Sequence, residues 1–237
     1  MTSADLYAAL APQGIALMDT RRGRGQWRFL DPVGARLWVA VADGASPADA
    51  VDQLTARWQA EGADPQQVRA DLTALAADLD RTGLLRPAAR PAPRPAPGVR
   101  FATAAPVSLL DLAAGHLALA GALLVLRCLP VRFAITAARA ATRLPGRTAS
   151  AEDAERALAA VRRAARWWPG RAACLEESLA AHLTAALTGR RVRWVVGARF
   201  DPHGAHAWIE AAGHIIGQDE PDRVWPYVTA LEVEHSH

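Results

Sequence analysis

Between Arg90 and Gly98 the chain places a proline at every second position: Pro91, Pro93, Pro95 and Pro97. Alternating prolines remove amide donors and hold the backbone extended, so the stretch can neither continue a helix nor lie inside a sheet. It reads as a linker at 89–98 that separates a first domain, 1–88, from a second, 99–237. Each flank is long enough to fold independently. With 51% of the residues apolar, both can bury a core, which excludes a disordered chain.

Two residue types are missing altogether. All 27 basic residues are arginine, and the chain has no asparagine. A Cys-His-Asn catalytic arrangement is therefore impossible, and any third member must be acidic or glutamine. The arginines are scattered among acids and apolar residues rather than interleaved with aromatics, which argues against nucleic acid as a partner. Arg21, Arg22 and Arg24 sit in a glycine-containing stretch expected to be a solvated hairpin loop. Two cysteines, Cys128 and Cys174, build no disulfide framework and suit a reducing cytoplasm. Residues 1–5 lack a basic stretch followed by an apolar one, so export is not expected.

In the first domain, 14–18 and 26–30 read as strands of a hairpin. Asp31-Pro32, Ser46-Pro47 and Asp64-Pro65 each place a capping residue before a proline, the pattern of a helix start. The third helix carries Val68, Leu72, Leu75 and Leu79 on one face and stops at Gly83. In the second domain, 107–129 is apolar enough to suggest a membrane span, but Asp111, His116 and Arg127 interrupt it. A charge near a bilayer centre costs about 2.5–3.5 kcal/mol on insertion scales, which favours a buried helix. Further helices fit 151–167 and 174–188, and strands fit 192–199, 206–211 and 214–217. A small sheet with three helices, then helices followed by an antiparallel sheet, gives an α+β chain.

Cys174 stands just after Trp168-Pro169-Gly170-Arg171 and opens a helix, where free backbone N–H groups and the helix dipole favour a thiolate. His206 begins a later strand that can bring its imidazole to that helix end, as a Cys/His pair requires. The group orienting the imidazole is expected at a neighbouring strand end. Asp219, within Gly217-Gln218-Asp219-Glu220, is such a residue, with Gln218 and Glu210 as rivals. A zinc site from Cys174, His203 and His206 lacks a paired-cysteine or His-x-x-x-His spacing, so no metal is expected. Trp167, Trp168 and Trp208 are placed to wall a pocket.

The run Cys174-Leu175-x-x-Ser178-Leu179, the Gly189-Arg190-Arg191-Val192-Arg193 turn and His206-Ala207-Trp208-Ile209-Glu210 resemble the transglutaminase-like leader peptidases of lasso-peptide biosynthesis. Phe29-Leu30-Asp31-x-x-Gly34-Ala35-x-Leu37-Trp38 and Leu79-x-x-x-Gly83-Leu84-Leu85 resemble the peptide-recognition module of pyrroloquinoline-quinone biosynthesis. The chain departs from these relatives at Asp31, where many carry asparagine. It departs again at Gly217-Gln218-Asp219-Glu220, where they often show Asn-Asp.

The resemblance implies a winged-helix-like recognition module fused to a transglutaminase-like, papain-like cysteine peptidase, together a lasso-peptide B protein. It implies that the leader of a precursor peptide adds as a strand along Gln26, Trp27, Arg28, Phe29 and Leu30, with Leu72, Leu75 and Leu79 forming the other wall. Cys174, His206 and Asp219 would then separate leader from core, and an asparagine-synthetase-like cyclase would close the ring. An ATP dependence of the system is also implied, for which the chain carries no nucleotide motif. The apolar helix after the linker offers a face to the cyclase or to a membrane surface. Two other functions fit the same residues: a peptide escort without catalysis, and acyl transfer to an amine.

Overall fold

The computed structural model describes residues 5–92, 94–102, 105–218 and 227–235. The first domain opens with an antiparallel sheet, β1 (Leu6–Ala11), β2 (Gly14–Asp19) and β3 (Gln26–Leu30), in that spatial order. Three helices follow: α1 (Pro32–Ala42), α2 (Pro47–Ala60) and α3 (Pro65–Arg81). Asp31, Ser46 and Asp64 cap them as expected, each accepting from a first-turn amide, and each helix begins with its proline.

Strands β1 and β2 of this small sheet are buried on both faces. Leu6, Ala8, Ile15 and Leu17 pack with Trp38 and Leu79 beneath α1 and α3, while Tyr7, Ala9, Ala16 and Met18 join the core of the second domain. A strand covered on both sides shows no polar alternation, which is why β1 does not announce itself in the sequence.

The second domain comprises β4 (Gly98–Phe101), α4 (Leu109–Cys128), α5 (Val131–Ala141), β5 (Arg147–Thr148), α6 (Ala151–Ala165), α7 (Cys174–Leu187), β6 (Arg190–Arg191), β7 (Arg193–Phe200), β8 (His203–Ala211), β9 (His214–Gln218) and β10 (Val228–Val233). Its main sheet runs β10-β7-β8-β9-β4. The sheet is mixed rather than purely antiparallel, because β4 lies parallel to β9. Strand β5 forms a short parallel ladder with β6.

Helices α4, α6 and α7 pack together over one face of the sheet. Helix α4 is long and apolar enough to cross a membrane. Its Ala118, Leu119, Ala122, Leu123 and Leu126 are nevertheless buried in the core, and a Cβ at Gly115 would come within 3.0 Å of the Ala160 backbone on α6. That close approach is possible only with a glycine.

The proline-rich segment does more than space the domains. Ala89 exchanges backbone hydrogen bonds with Leu6 and Ala8 on the outer edge of β1, at 2.9 and 3.0 Å. Arg90 lies over the Trp38 ring and pairs with Asp43. Arg94 grips the carboxylate of Glu210 on β8 through both terminal nitrogens, and Gly98 already belongs to β4. The segment is a strap across both domains. Its extended geometry leaves side chains and carbonyls free to bond sideways, which a proline-rich sequence allows even as it forbids a helix.

Glu210 is only 3% exposed and meets Arg94, Arg193 and the indole N–H of Trp208. Burial pushes its carboxyl up, but the hydrogen bonds from Arg94 and Trp208 and the two guanidinium charges hold it below the ordinary glutamate range. Removing Arg94 leaves a buried carboxylate with the Trp208 indole and, as its cation, the more distant Arg193 at 3.4 Å. Arg94→Ala is therefore expected to destabilise the protein by about 2–3 kcal/mol, read as a lower urea midpoint.

Asp153 gives a pH signature. It caps α6 with Ser150, and burial raises its pKa while Arg147, the Ser150 amide and Arg190 outweigh that and bring it to about 2. A depressed carboxylate contributes stability above its unfolded value, near 3.8, and loses it as the pH falls toward 2. Asp153→Asn should lower stability at neutral pH and flatten the loss between about pH 4 and 2 in acid-unfolding curves.

Candidate active site

Cys174 is the first residue of α7, and its N-cap, Ala173, supplies no side-chain oxygen to the first-turn amides. The thiol is partly buried and lines a cavity of about 490 Å³ together with Arg171, Ser178, His206, Trp208 and Gln218. Ser178, one turn along α7, accepts from the Trp194 indole N–H at 3.0 Å, fixing the helix against β7.

The sheet opens at this point. Strands β8 and β9 are paired, among the described residues, only at Glu210–Ile215 and Ala211–His214, so the stretch of β8 around His206, paired with β7 on one side, borders the cavity on the other. Residues from both faces of β8 reach the cavity: Ala207 and Ile209 from the helix side, His206 and Trp208 from the other.

A bulge in β9 completes the arrangement. Partners run Arg100–Ile216 and then Phe101–Gln218, leaving Gly217 unmatched. Gly217 has φ +71°, and a Cβ there would lie 2.2 Å from Leu158. The extra residue reverses the alternation and turns Gln218 to the face that carries His206. The Gln218 Oε1 lies 3.2 Å from His206 Nε2, and its Nε2 donates to the Ile216 carbonyl at 3.3 Å.

Trp208 stacks beside His206 with ring centres 5.9 Å apart, and Tyr227 lies 5.3 Å away on another side. Gly197 makes room for the indole, since a Cβ there would meet Trp208 at 2.7 Å. Tyr227 escaped sequence reasoning because nothing in its local pattern ties it to a histidine some twenty positions earlier.

The sequence expectations fare unequally. Cys174, His206 and Gln218 come together in one cavity. Asp219 lies outside the described residues. Glu210 shares a face with His206, as period-two counting indicates, but its oxygens are engaged by Trp208, Arg94 and Arg193, so it serves the strap rather than the imidazole. Trp208 walls the cavity, whereas Trp167 is 83% exposed and Trp168 lies under Arg127. No cluster of metal-ligating side chains occurs among the described residues.

On the first domain, β3 pairs with β2 on one side and, among the described residues, with no strand on the other. Arg28, Phe29, Leu30 and Leu75 line a second cavity of about 640 Å³ beside it. Leu72 and Leu79 do not reach this groove. They are 2% and 0% exposed in the domain's cores, because residues facing α1 and α2 cannot also face outward. Gln26 is exposed on β3, and Trp27 turns toward the second domain.

The turn between β2 and β3 is exposed, as expected, but it is also anchored. Arg21 chelates Asp19 and donates to the Thr82 carbonyl, and Arg24 pairs with Glu176 in the first turn of α7.

Residues 117–232 match the family described as Transglutaminase-like superfamily, and residues 14–85 match Coenzyme PQQ synthesis protein D, PqqD. The chain is a PqqD domain fused to a transglutaminase-like domain. The order of the two matched segments agrees with the fused arrangement that the sequence resemblance implies. No curated protein and no solved structure matches it. Strand β1, the strap and β4 fall outside both matched segments.

Glu176 is 1% exposed on its side chain and also accepts from the Ala173 amide. Arg24→Ala would leave that carboxylate without its cation at the start of the helix bearing Cys174. A loss of about 2 kcal/mol is expected in chemical denaturation, with most of it restored by Arg24→Lys.

Proposed function

We propose that this protein binds the leader of a lasso-peptide precursor along β3 and cleaves leader from core with Cys174 as nucleophile and His206 as acid and base. The observation that carries the reading is the cavity lined both by Cys174, at a helix start, and by a histidine that has a ring nitrogen held by a side chain.

Gln218 gives that histidine its working form. Its amide Nε2 is committed to the Ile216 carbonyl, so Oε1 faces the imidazole and accepts from Nε2–H. Nδ1 is then the nitrogen that acts on the thiol. In the first half-reaction Sγ attacks the scissile carbonyl carbon while Nδ1 takes the thiol proton, with first-turn amides of α7 placed to stabilise the oxyanion. The C–N bond breaks, the proton passes to the departing amine of the core, and the leader remains as a thioester. Water, deprotonated by His206, then attacks the thioester, releasing the leader carboxylate and restoring the thiol.

The freed core amine is what an asparagine-synthetase-like cyclase would join to a side-chain carboxylate, which makes such a cyclase the expected partner. Two unpaired cysteines suit a cytoplasmic setting.

Incubation with a lasso-type precursor, followed by mass spectrometry, tests the assignment. Cleavage at one leader–core bond is expected from the parent and none from Cys174→Ala; intact peptide bound equally by both would leave an escort protein. The same assay compares the orienting candidates. Gln218→Ala is expected to lower kcat by about tenfold or more with little change in KM, and Asp219→Ala by less; the reverse order would hand the orienting role to Asp219.

A further inference from the structure

The groove beside β3 is not built by the PqqD domain alone. Phe200 and His203, flanking the turn between β7 and β8 of the transglutaminase-like domain, line it together with Arg28, Phe29, Leu30 and Leu75. The Phe29 ring stacks on the His203 imidazole with centres 4.3 Å apart and planes 8° from parallel, and it meets Phe200 edge-on at 5.8 Å.

Strand geometry dictates what this means for a ligand. Successive side chains of β3 alternate between faces: Arg28 reaches α3, where it pairs with Asp78 at 2.6 Å, and Trp27 and Phe29 pack toward the second domain. A peptide adding to the unpaired edge of β3 inherits the same alternation. Half of its side chains then face α3 and Leu75. The other half face Phe29, Phe200 and His203.

We propose that the β7–β8 hairpin of the transglutaminase-like domain is the second wall of the leader groove. In this assignment Phe200 and His203 select an apolar or aromatic side chain at alternate positions of an extended peptide. The proposal rests on the reading that β3 captures the leader. It adds that leader recognition is shared by both domains, so the peptidase half helps to choose the peptide it cleaves. The occupant is an extended strand, because the groove offers a free backbone edge along one side and flat aromatic surface, suited to apolar side chains, on the other.

The test uses the full chain carrying Cys174→Ala, which prevents turnover. Random ten-residue peptides displayed on phage are selected on it, and the strongest is labelled with fluorescein for anisotropy. Three proteins are compared: this parent, the same chain with Phe200→Ala and His203→Ala, and the same chain with Leu75→Ala. Thermal unfolding checks that each is folded. The hairpin variant is expected to bind at least about tenfold more weakly and, in a repeated selection, to lose the preference for apolar residues at alternate positions.

Binding within about twofold of the parent by the hairpin variant, with Leu75→Ala weakened, overturns the shared groove and leaves recognition to the PqqD domain. Unchanged binding by both variants overturns the β3 reading itself, and the shared groove with it.

Discussion

The burial of both faces of β1 and β2 in the small N-terminal sheet is the constraint from which the remaining architecture follows. A recognition sheet packed only on its own helices would leave Tyr7, Ala9, Ala16 and Met18 in water. Here they are core residues of the neighbouring domain, and the apolar area they remove from solvent holds the two halves in a set orientation. That orientation brings the β2–β3 turn to the first turn of α7, and β3 to the β7–β8 hairpin. The Arg24–Glu176 pair and the Phe29–His203 stack are consequences of the shared core, and neither would form between domains joined by a slack tether.

Within the second domain the decisive local event is an irregularity. An ideal β9 would direct residue 218 to the helix side, away from the imidazole. One unmatched glycine reverses that choice, and its left-handed backbone, with φ +71°, disfavours any side chain there. The gap between β8 and β9, the bulge and the ring of Trp208 over Gly197 together hold the histidine at the cavity that Cys174 also lines. Its second nitrogen is bonded to an uncharged amide. A neutral partner fixes the ring's orientation and tautomer but stabilises an imidazolium less than a carboxylate does.

What the sequence made legible was whatever depends on local rules. Cap-plus-proline pairs at Asp31, Ser46 and Asp64 mark helix starts because capping is a matter of neighbouring residues, and the placement of Cys174 at a helix start is of the same kind. The hidden parts depend on distant ones. Strand β1 has no alternation because both sides are covered. Strand β4 is too short to carry a pattern and exists because β9 offers it an edge. The strap read as a spacer since proline content reports what a backbone cannot do, whereas its two arginines find partners on opposite domains. Of the three leucines assigned to the leader, two occupy the cores: a helical stripe tells which residues share a face, but not which edge of that face is open.

The hairpin strand that carries His203 also carries His206, three residues further on. At a rise of about 3.3 Å per residue, the groove and the cleft are tied together by roughly 10 Å of one rigid element. On the proposed reading, in which β3 holds the leader and Cys174 cuts it, that element would act as a ruler. Which bond reached the thiol would then depend on how many residues lie between the anchored segment and the cleft, so a leader lengthened or shortened by one residue would shift the cut rather than merely weaken the hold. Such a protein would recognise its cleavage point by counting.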